Sequence, residues 1–347
     1  SAADMFNTAM GYHAGFAVTT GVQNILIGGE AGDALTDADF NVGMGTSALG
    51  SDTKGSRNVA IGHSSLATQN FTSGTNSYNT AVGFHTGLSI TTGIRNTLIG
   101  GEAGDALQDA DDNVAIGALA LSGDTLGSQS VAIGRGALKV QNFTSATDSL
   151  NTAVGYSAGE SVSTGVQNTL IGALAGDALT DADFNIAIGA DALASDTLGN
   201  RSIAIGRRAL LSQNFTSATD TYNVAVGFEA GHNISTGVQN ALIGGLAGDA
   251  LTDADSNVAM GHSALSTDTL GSRSVAIGAS ALEAQNLTSA TNTYNVAVGT
   301  LAGAAVTTGI QNTLLGGLAG DALTVGEKNI ALGYVALSAD TKGNKST

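Results

Sequence analysis

The sequence predicts an all-β chain wound as a parallel solenoid, and three observations carry that expectation. The phrase that opens at Asn7 returns at Asn79, Asn151, Asn223 and Asn295, always at the same interval. Inside each block a shorter unit recurs, of the form Asn/Ser-x-Ala/Leu-Val/Ile-Gly. In the third block it begins at Asn151, Asn168, Asn185 and Ser202, then again at Asn223, in three 17-residue steps and a final 21-residue step. A fixed short period of this kind marks a coil with one turn per repeat. The third observation is composition: 49 Gly, no Pro, Cys or Trp, and only 9 Phe and 6 Tyr among 347 residues. Ala, Val, Ile and Leu therefore supply the apolar surface, which suits thin stacked layers better than a globular core. The expected organisation is one array over residues 1–347, with blocks 7–78, 79–150, 151–222 and 223–294 and a partial block 295–347.

The first element of each coil is a strand. In Asn168-Thr169-Leu170-Ile171-Gly172, alternation sends Thr169 and Ile171 to one face and Leu170 to the other. The three residues after the opening Asn or Ser carry no charge in any of the nineteen complete motifs. Strands apolar on both faces are buried on both faces. A thin coil buries only its inner face, so the second face calls for another surface, and a symmetric copy of the chain is the simplest source. The next element is the glycine that closes every motif, from Gly11 to Gly333. It points to a turn with positive φ, or to a neighbouring backbone too close for a Cβ. Three residues on stands a small residue, as at Ala158, Ala175, Ala192 and Ala209, followed by Leu or Gly. This second half is expected to be a return strand or turn, with Glu160, Asp177, Asp181, Asp183 and Asp191 on its solvated surface. The Asn at the head of each motif fits a stacked ladder whose amides bond to turn backbone in adjacent coils, with Ser130, Ser202 and Ser274 in the same role.

A formal net charge of −17 argues against nucleic-acid binding and against an anionic membrane surface. No apolar run reaches the roughly 18–20 residues of a membrane span, and no leader resembling a signal peptide is present. The chain starts at Ser1 and stops where another motif is due at Ser346, so it reads as a piece of a longer polypeptide.

Ser-Val-Ala-Ile-Gly at 130–134 and 274–278, with Asn-Val-Ala-Ile-Gly at 58–62 and 113–117, resembles the head repeat of trimeric autotransporter adhesins, although coils in that family run shorter than the 17-residue step. Asn-Thr-Ala-Val-Gly-Tyr-Ser-Ala-Gly at 151–159 and Ser-Thr-Gly-Val-Gln-Asn-Thr-Leu-Ile-Gly at 163–172 are similar to repeats of bacteriophage tail fibres. The resemblance implies a left-handed parallel β-roll in a homotrimer. It implies a fibre or adhesive module and transfers no functional residues. About twenty coils at roughly 4.8 Å each would make a rod of about 95 Å.

The most chemical-looking cluster is Gly-Asp-Ala-Leu-Thr-Asp-Ala-Asp. It supplies Asp33, Asp37 and Asp39; Asp105, Asp109 and Asp111; Asp177, Asp181 and Asp183; and Asp249, Asp253 and Asp255. Asp-x-Asp-x-Asn copies the first half of a Ca²⁺ loop, but Val42 or Ile186 stands where that loop needs Gly, and no bidentate Glu follows. Solvated turn carboxylates are the preferred reading, with calcium as the alternative and no cofactor expected. The 21-residue coil carries Gln-Asn-Phe-Thr-Ser-Ala-Thr or a close variant, in which Phe71, Phe143, Phe215 and Leu287 are expected to fasten the loop down. Asn70-Phe71-Thr72 and its successors match a glycosylation sequon that a repeated turn would produce anyway. His13, His63, His85, His232 and His262 follow motif glycines and form no metal-ligand pair in sequence. The residues just after each motif Gly change between blocks, so they are expected to be exposed and to offer no repeated pocket.

Acids at repeated positions do not make the few non-repeating catalytic positions of a β-helical lyase, and no enzyme is expected. The leading expectation is a shaft module of a bacteriophage tail fibre in the virion, spacing a receptor-binding tip. The alternative is the adhesive head of a bacterial surface adhesin. The expected partner is the chain itself, with any cell-surface receptor or glycan left to flanking regions.

Overall fold

The computed structural model describes residues 4–346, and among them every regular element is a β-strand. The chain divides into two compact units, Ser1–Leu170 and Ile171–Thr347, each built from the same coil.

In the first unit, three-residue strands stack in parallel with each residue on its counterpart in the next motif. Thr97 lies on Val114, Leu98 on Ala115 and Ile99 on Ile116. The 21-residue step leaves the register unchanged, since Val131, Ala132 and Ile133 pair with Thr152, Ala153 and Val154. The second unit repeats this, from Ile186–Ile188 on Ile203–Ile205 to Thr313–Leu315 on Ile330–Leu332. The observed architecture is thus a parallel solenoid, built mainly on a 17-residue coil.

The strand alternation is as expected. Middle residues such as Leu98, Ala115 and Ala187 are fully buried inside the coil, whereas third residues face outward, Ile99 at 39% exposure and Ile243 at 38%. The motif glycines meet both expected demands at once. Their φ runs from 126° at Gly333 to 147° at Gly155, and a Cβ on Gly117 would stand 2.6 Å from the carbonyl of Gly134 in the next coil.

Of the two expectations for the second half of the coil, return strand or turn, the turn is the one observed. This half has a left-handed residue two and four positions after the glycine, as at Leu119 (φ 60°) and Leu121 (φ 53°). A third left-handed corner precedes each motif, as at Asp112 (φ 59°). Such corners break strand geometry, so neighbouring return halves share isolated bonds, for example Gly104 N–H to Ala120 O at 2.9 Å. Among the described residues, two-residue strand pairs occur only beside the insertion of the 21-residue coil, as Gly127–Ser128 with Thr147–Asp148.

The core explains why Leu or Gly follows the buried Ala. In the first two coils of a block the fourth residue after the motif glycine is Gly (Gly87, Gly104), and an aliphatic side chain three residues on (Ile90, Leu107) fills the interior. In the last two coils Leu121 and Leu138 occupy the Gly position and are themselves fully buried. The strand Leu of the second coil needs this arrangement: a Cβ on Gly87 would lie 2.9 Å, and one on Gly104 also 2.9 Å, from the methyls of Leu98.

Candidate functional site

Three surfaces or clusters could carry chemistry: the polar columns of the coil interior, the acidic turns, and the outward strand face with its edges.

The head Asn column forms amide ladders within each unit, broken at Ser130, Ser202 and Ser274, past which Asn223 and Asn295 donate their N–H to the Thr221 and Thr293 hydroxyls instead. Asn113 donates its backbone N–H to Asn96 Oδ1 (3.0 Å) and its Nδ2 to Gly127 O (3.0 Å), while its own Oδ1 accepts from Ser130 N–H (2.9 Å). Both side-chain groups of this buried amide are engaged along the stack.

A second polar column was not singled out from sequence. Seven residues after the motif glycine, the first two coils carry aliphatics, the third carries Asp52, Asp124, Asp196 or Asp268, and the fourth carries Gln69, Gln141, Gln213 or Gln285, all fully buried. Asp124 Oδ1 accepts from Gly127 and Phe143 N–H (3.0 and 3.2 Å), and Oδ2 accepts from Gln141 Nε2 (2.6 Å). Gln141 Oε1 then accepts from Asn151 Nδ2 (2.9 Å), tying the insertion into the Asn ladder. Phe143 lies 5% exposed, so Phe71, Phe143, Phe215 and Leu287 do fasten the loop inward. Burial pushes the Asp52 carboxyl above the usual carboxylate range, against the hydrogen bonds it accepts from Gln69, Phe71 and Gly55. The available signal was an Asp followed by a Gln at the same place in the next coil, in every complete block.

The acidic turns spread their carboxylates over separate tasks. Asp39, Asp111 and Asp255 each accept a backbone N–H from the preceding coil, from Val22, Ile94 and Val238, all at 2.8 Å. Asp109 and Asp253 accept from Thr92 and Thr236 hydroxyls at 2.7 Å, and Asp37 stands 3.7 Å from Lys54 Nζ. Asp181 is exposed, and the backbone N–H of Asp183 donates to Asn200 Oδ1 at 2.8 Å. Asp33 and Asp177 are half-buried at the position of Asp105 and Asp249. Asp105 and Asp249 are raised above the ordinary carboxylate range by burial first, with Glu102 and Glu229 adding repulsion. Among the described residues no three His, Asp or Glu side chains converge to hold a metal ion. The structure does bring His63 and His85 together around Phe84, with ring centroids 5.4 Å apart, although more than a whole coil of chain separates them.

The outward strand face runs from coil to coil within each unit. It presents Thr, Val, Ile and Met, with Ala241, Leu315 and Leu332, from the first and third strand positions and no charge. Its two edges are the residue before each motif Asn and the residue after each motif Gly. The residue directly after the glycine is exposed in most coils, with Phe84, Tyr156 and Phe228 near one half, but the second residue, also expected outside, is often covered, as at Ser157 (3%) and Ser263 (9%). Their variation is not arbitrary, however. At three of the four places where the fourth coil of a block meets the first coil of the next, a cation or His lies against a ring: His63 on Phe84, Arg135 over Tyr156 and Arg207 over Phe228. The opposite edge does the same, with Arg57 between Phe40 and Tyr78 (4.7 and 5.8 Å) and Arg201 between Phe184 and Tyr222 (5.0 and 6.0 Å).

No protein-family model matches this chain, and no curated protein matches it. Among the described residues, no helix is long and apolar enough to cross a membrane.

Proposed function

We propose that the chain is a non-enzymatic shaft module of a bacteriophage tail fibre. In this reading copies associate through the outward strand face, three around an axis, and hold a receptor-binding tip away from the virion. One observation supports it most: a chain of net charge −17 keeps a continuous apolar, charge-free strip on the outside of every coil. Exposed apolar strips of that extent mark interaction surfaces, and a parallel symmetric copy offers the matching period. The repeated acids support a structural role, since Asp37, Asp39, Asp109, Asp111, Asp253 and Asp255 bond to neighbouring coils. The alternative, an adhesive head on a bacterial surface, draws on the exposed rings at the edges of the strip.

Light scattering on the purified chain tests association, with three times the monomer mass expected and a folded monomer overturning it. The variants must respect the faces. Ala187 is mid-strand but lies inside the coil, so Ala187→Asp would break the coil rather than the assembly. Ile188→Asp, on the outward face, is expected to dissociate the copies and leave the strands intact. Equal binding of host cells by the isolated module and by a full fibre would replace the shaft reading with the adhesin.

A further inference from the structure

The chain carries 29 acidic side chains against 12 Lys and Arg, so an exposed arginine has acids at hand to pair with. Arg95, Arg201 and Arg208 do pair, with Asp112 at 2.6 Å, Asp220 at 2.7 Å and Glu229 at 3.5 Å. Among the described residues the other four arginines form no ion pair, and each lies against a ring instead. In the first unit these are Arg57 beside Tyr78 and Arg135 beside Tyr156, both 5.8 Å from the ring centroid. In the second unit they are Arg207 beside Phe228 at 5.8 Å and Arg273 beside Tyr294 at 5.9 Å. All four arginines are exposed, and the rings are between 47% and 53% exposed.

Each pair presents two unused functions side by side: N–H donors in a fork that matches a carboxylate, and a flat apolar ring. The coil that follows Phe228 leaves room, because its corner holds only Gly245. The fold does not demand glycine there, since a Cβ would make only ordinary contacts. Each unit has one such pair on each edge of the strand strip, so positive charge is sparse. Sparse cations on a chain of net charge −17 do not suit nucleic acid, which brings a phosphate with every nucleotide. They suit a partner whose charges are few and whose units have an apolar face.

We propose that the four arginine–ring pairs are subsites for acidic polysaccharide, each taking one carboxylate-bearing hexopyranose. The C–H face of the sugar lies on the ring, and its carboxylate accepts hydrogen bonds from the guanidinium beside it. The distance from guanidinium to ring centroid is comparable with the span of such a sugar. A neutral sugar would use the ring alone and lose the charged contact. The subsites lie on the edges of the coil stack, and the proposal stands whether or not the chain serves as a shaft.

Titration calorimetry on the whole purified chain tests it with oligogalacturonate and oligomannuronate, each beside its fully methyl-esterified form. At least one acid oligomer is expected to bind, with its uncharged ester about tenfold weaker. Arg57→Gln, Arg135→Gln, Arg207→Gln and Arg273→Gln together should weaken binding about tenfold with circular dichroism unchanged. Ser in place of the four rings should have a similar effect. Arg201→Gln should change affinity by less than about twofold, because Asp220 already holds that guanidinium. Failure of both oligomers to bind overturns the proposal, as does equal binding of acid and ester. A folded arginine or ring variant that binds like the native chain also overturns it. So does an Arg201→Gln loss as large as that of the four arginines, which would mean diffuse charge, or polyglutamate binding as tight as that of the sugars. Self-association is read separately by light scattering, so its failure and the failure of these subsites are distinguishable.

Discussion

Asn58 is the one head residue of a fourth coil in a complete block that is not Ser, and its environment predicts that Ser would be better. Its Oδ1 accepts from Ser77 Oγ (2.8 Å) and Asn79 N–H (3.1 Å), but its Nδ2 is buried without a partner. At the equivalent places Ser130, Ser202 and Ser274 accept from Gln141, Gln213 and Gln285 Nε2 at 2.9, 2.7 and 2.8 Å and exchange a hydrogen bond with Ser149, Thr221 and Thr293. Asn58→Ser would remove the orphan donor, whose burial costs about 1–3 kcal/mol, and give Gln69 Nε2 a second acceptor. Against this stands the bond to Asn79 N–H, which passes to the hydroxyl at position 77. The matching bonds are longer, 3.3 Å at Asn223 and 3.4 Å at Asn295, so about 1 kcal/mol is returned. The expected net gain is about 1 kcal/mol, read as a higher urea midpoint with an unchanged slope. Ser202→Asn should lose a similar amount. If Asn58→Ser lowers the midpoint while Ser202→Asn leaves it alone, the account of this polar column is wrong.

Leu98→Ala should cost about 3–5 kcal/mol, because two glycines line the space and cannot collapse into it. Gly104→Ala alone should also destabilise, since its Cβ would crowd Leu98 and Leu107. In the Leu98→Ala background it should cost about 1–2 kcal/mol less, and strict additivity in urea titrations would refute the packing argument. Asp52, Asp105 and Asp249 hold their protons more tightly than in the unfolded chain. Their stabilising contribution is therefore complete below the ordinary carboxylate range and lost as pH rises through their raised values. Asp112, lowered by the exposed Arg95, acts in the opposite sense, losing its contribution as pH falls. Moving from pH 7 to about 4.5 should thus raise the urea midpoint, and a steady fall over that window would contradict the burial of these acids. Chelator should leave the melting temperature unchanged to within about a degree, whereas an occupied site at a hundredfold excess over Kd would add about 2.7 kcal/mol. A large drop on chelation would make Asp37, Asp39 and their counterparts calcium ligands.

Much of the coil was legible because its constraints repeat. The strand, the closing glycine, the Asn ladder and the inward Phe of the 21-residue loop each impose one residue type at one position in successive coils. The return half was left open between strand and turn because its Ala-Leu or Ala-Gly pairs are apolar and short, and nothing in them announces left-handed corners. Leu121 and Leu138 adopt that left-handed geometry although Leu has no intrinsic preference for it; the gain is burial in the coil interior. The buried Asp124 and its partner Gln141 were missed because an acid beside Thr and Gly reads as a solvated turn, and two of its three hydrogen-bond partners, Gln141 and Phe143, come from the following coil.

The sequence by itself determined the period, the strand positions and the need for glycine at their ends, since all three are local demands repeated nineteen times. It also determined that both strand faces are apolar, but not which one is inside. The two faces look alike in sequence, and only the closed coil, with corners that turn the middle residue inward, leaves Ile99 out and Leu98 in. The same closure decided the pairings that matter at the edges. Arg57 and Tyr78 are separated by a whole coil of chain and come within 5.8 Å only because one coil is stacked on the next.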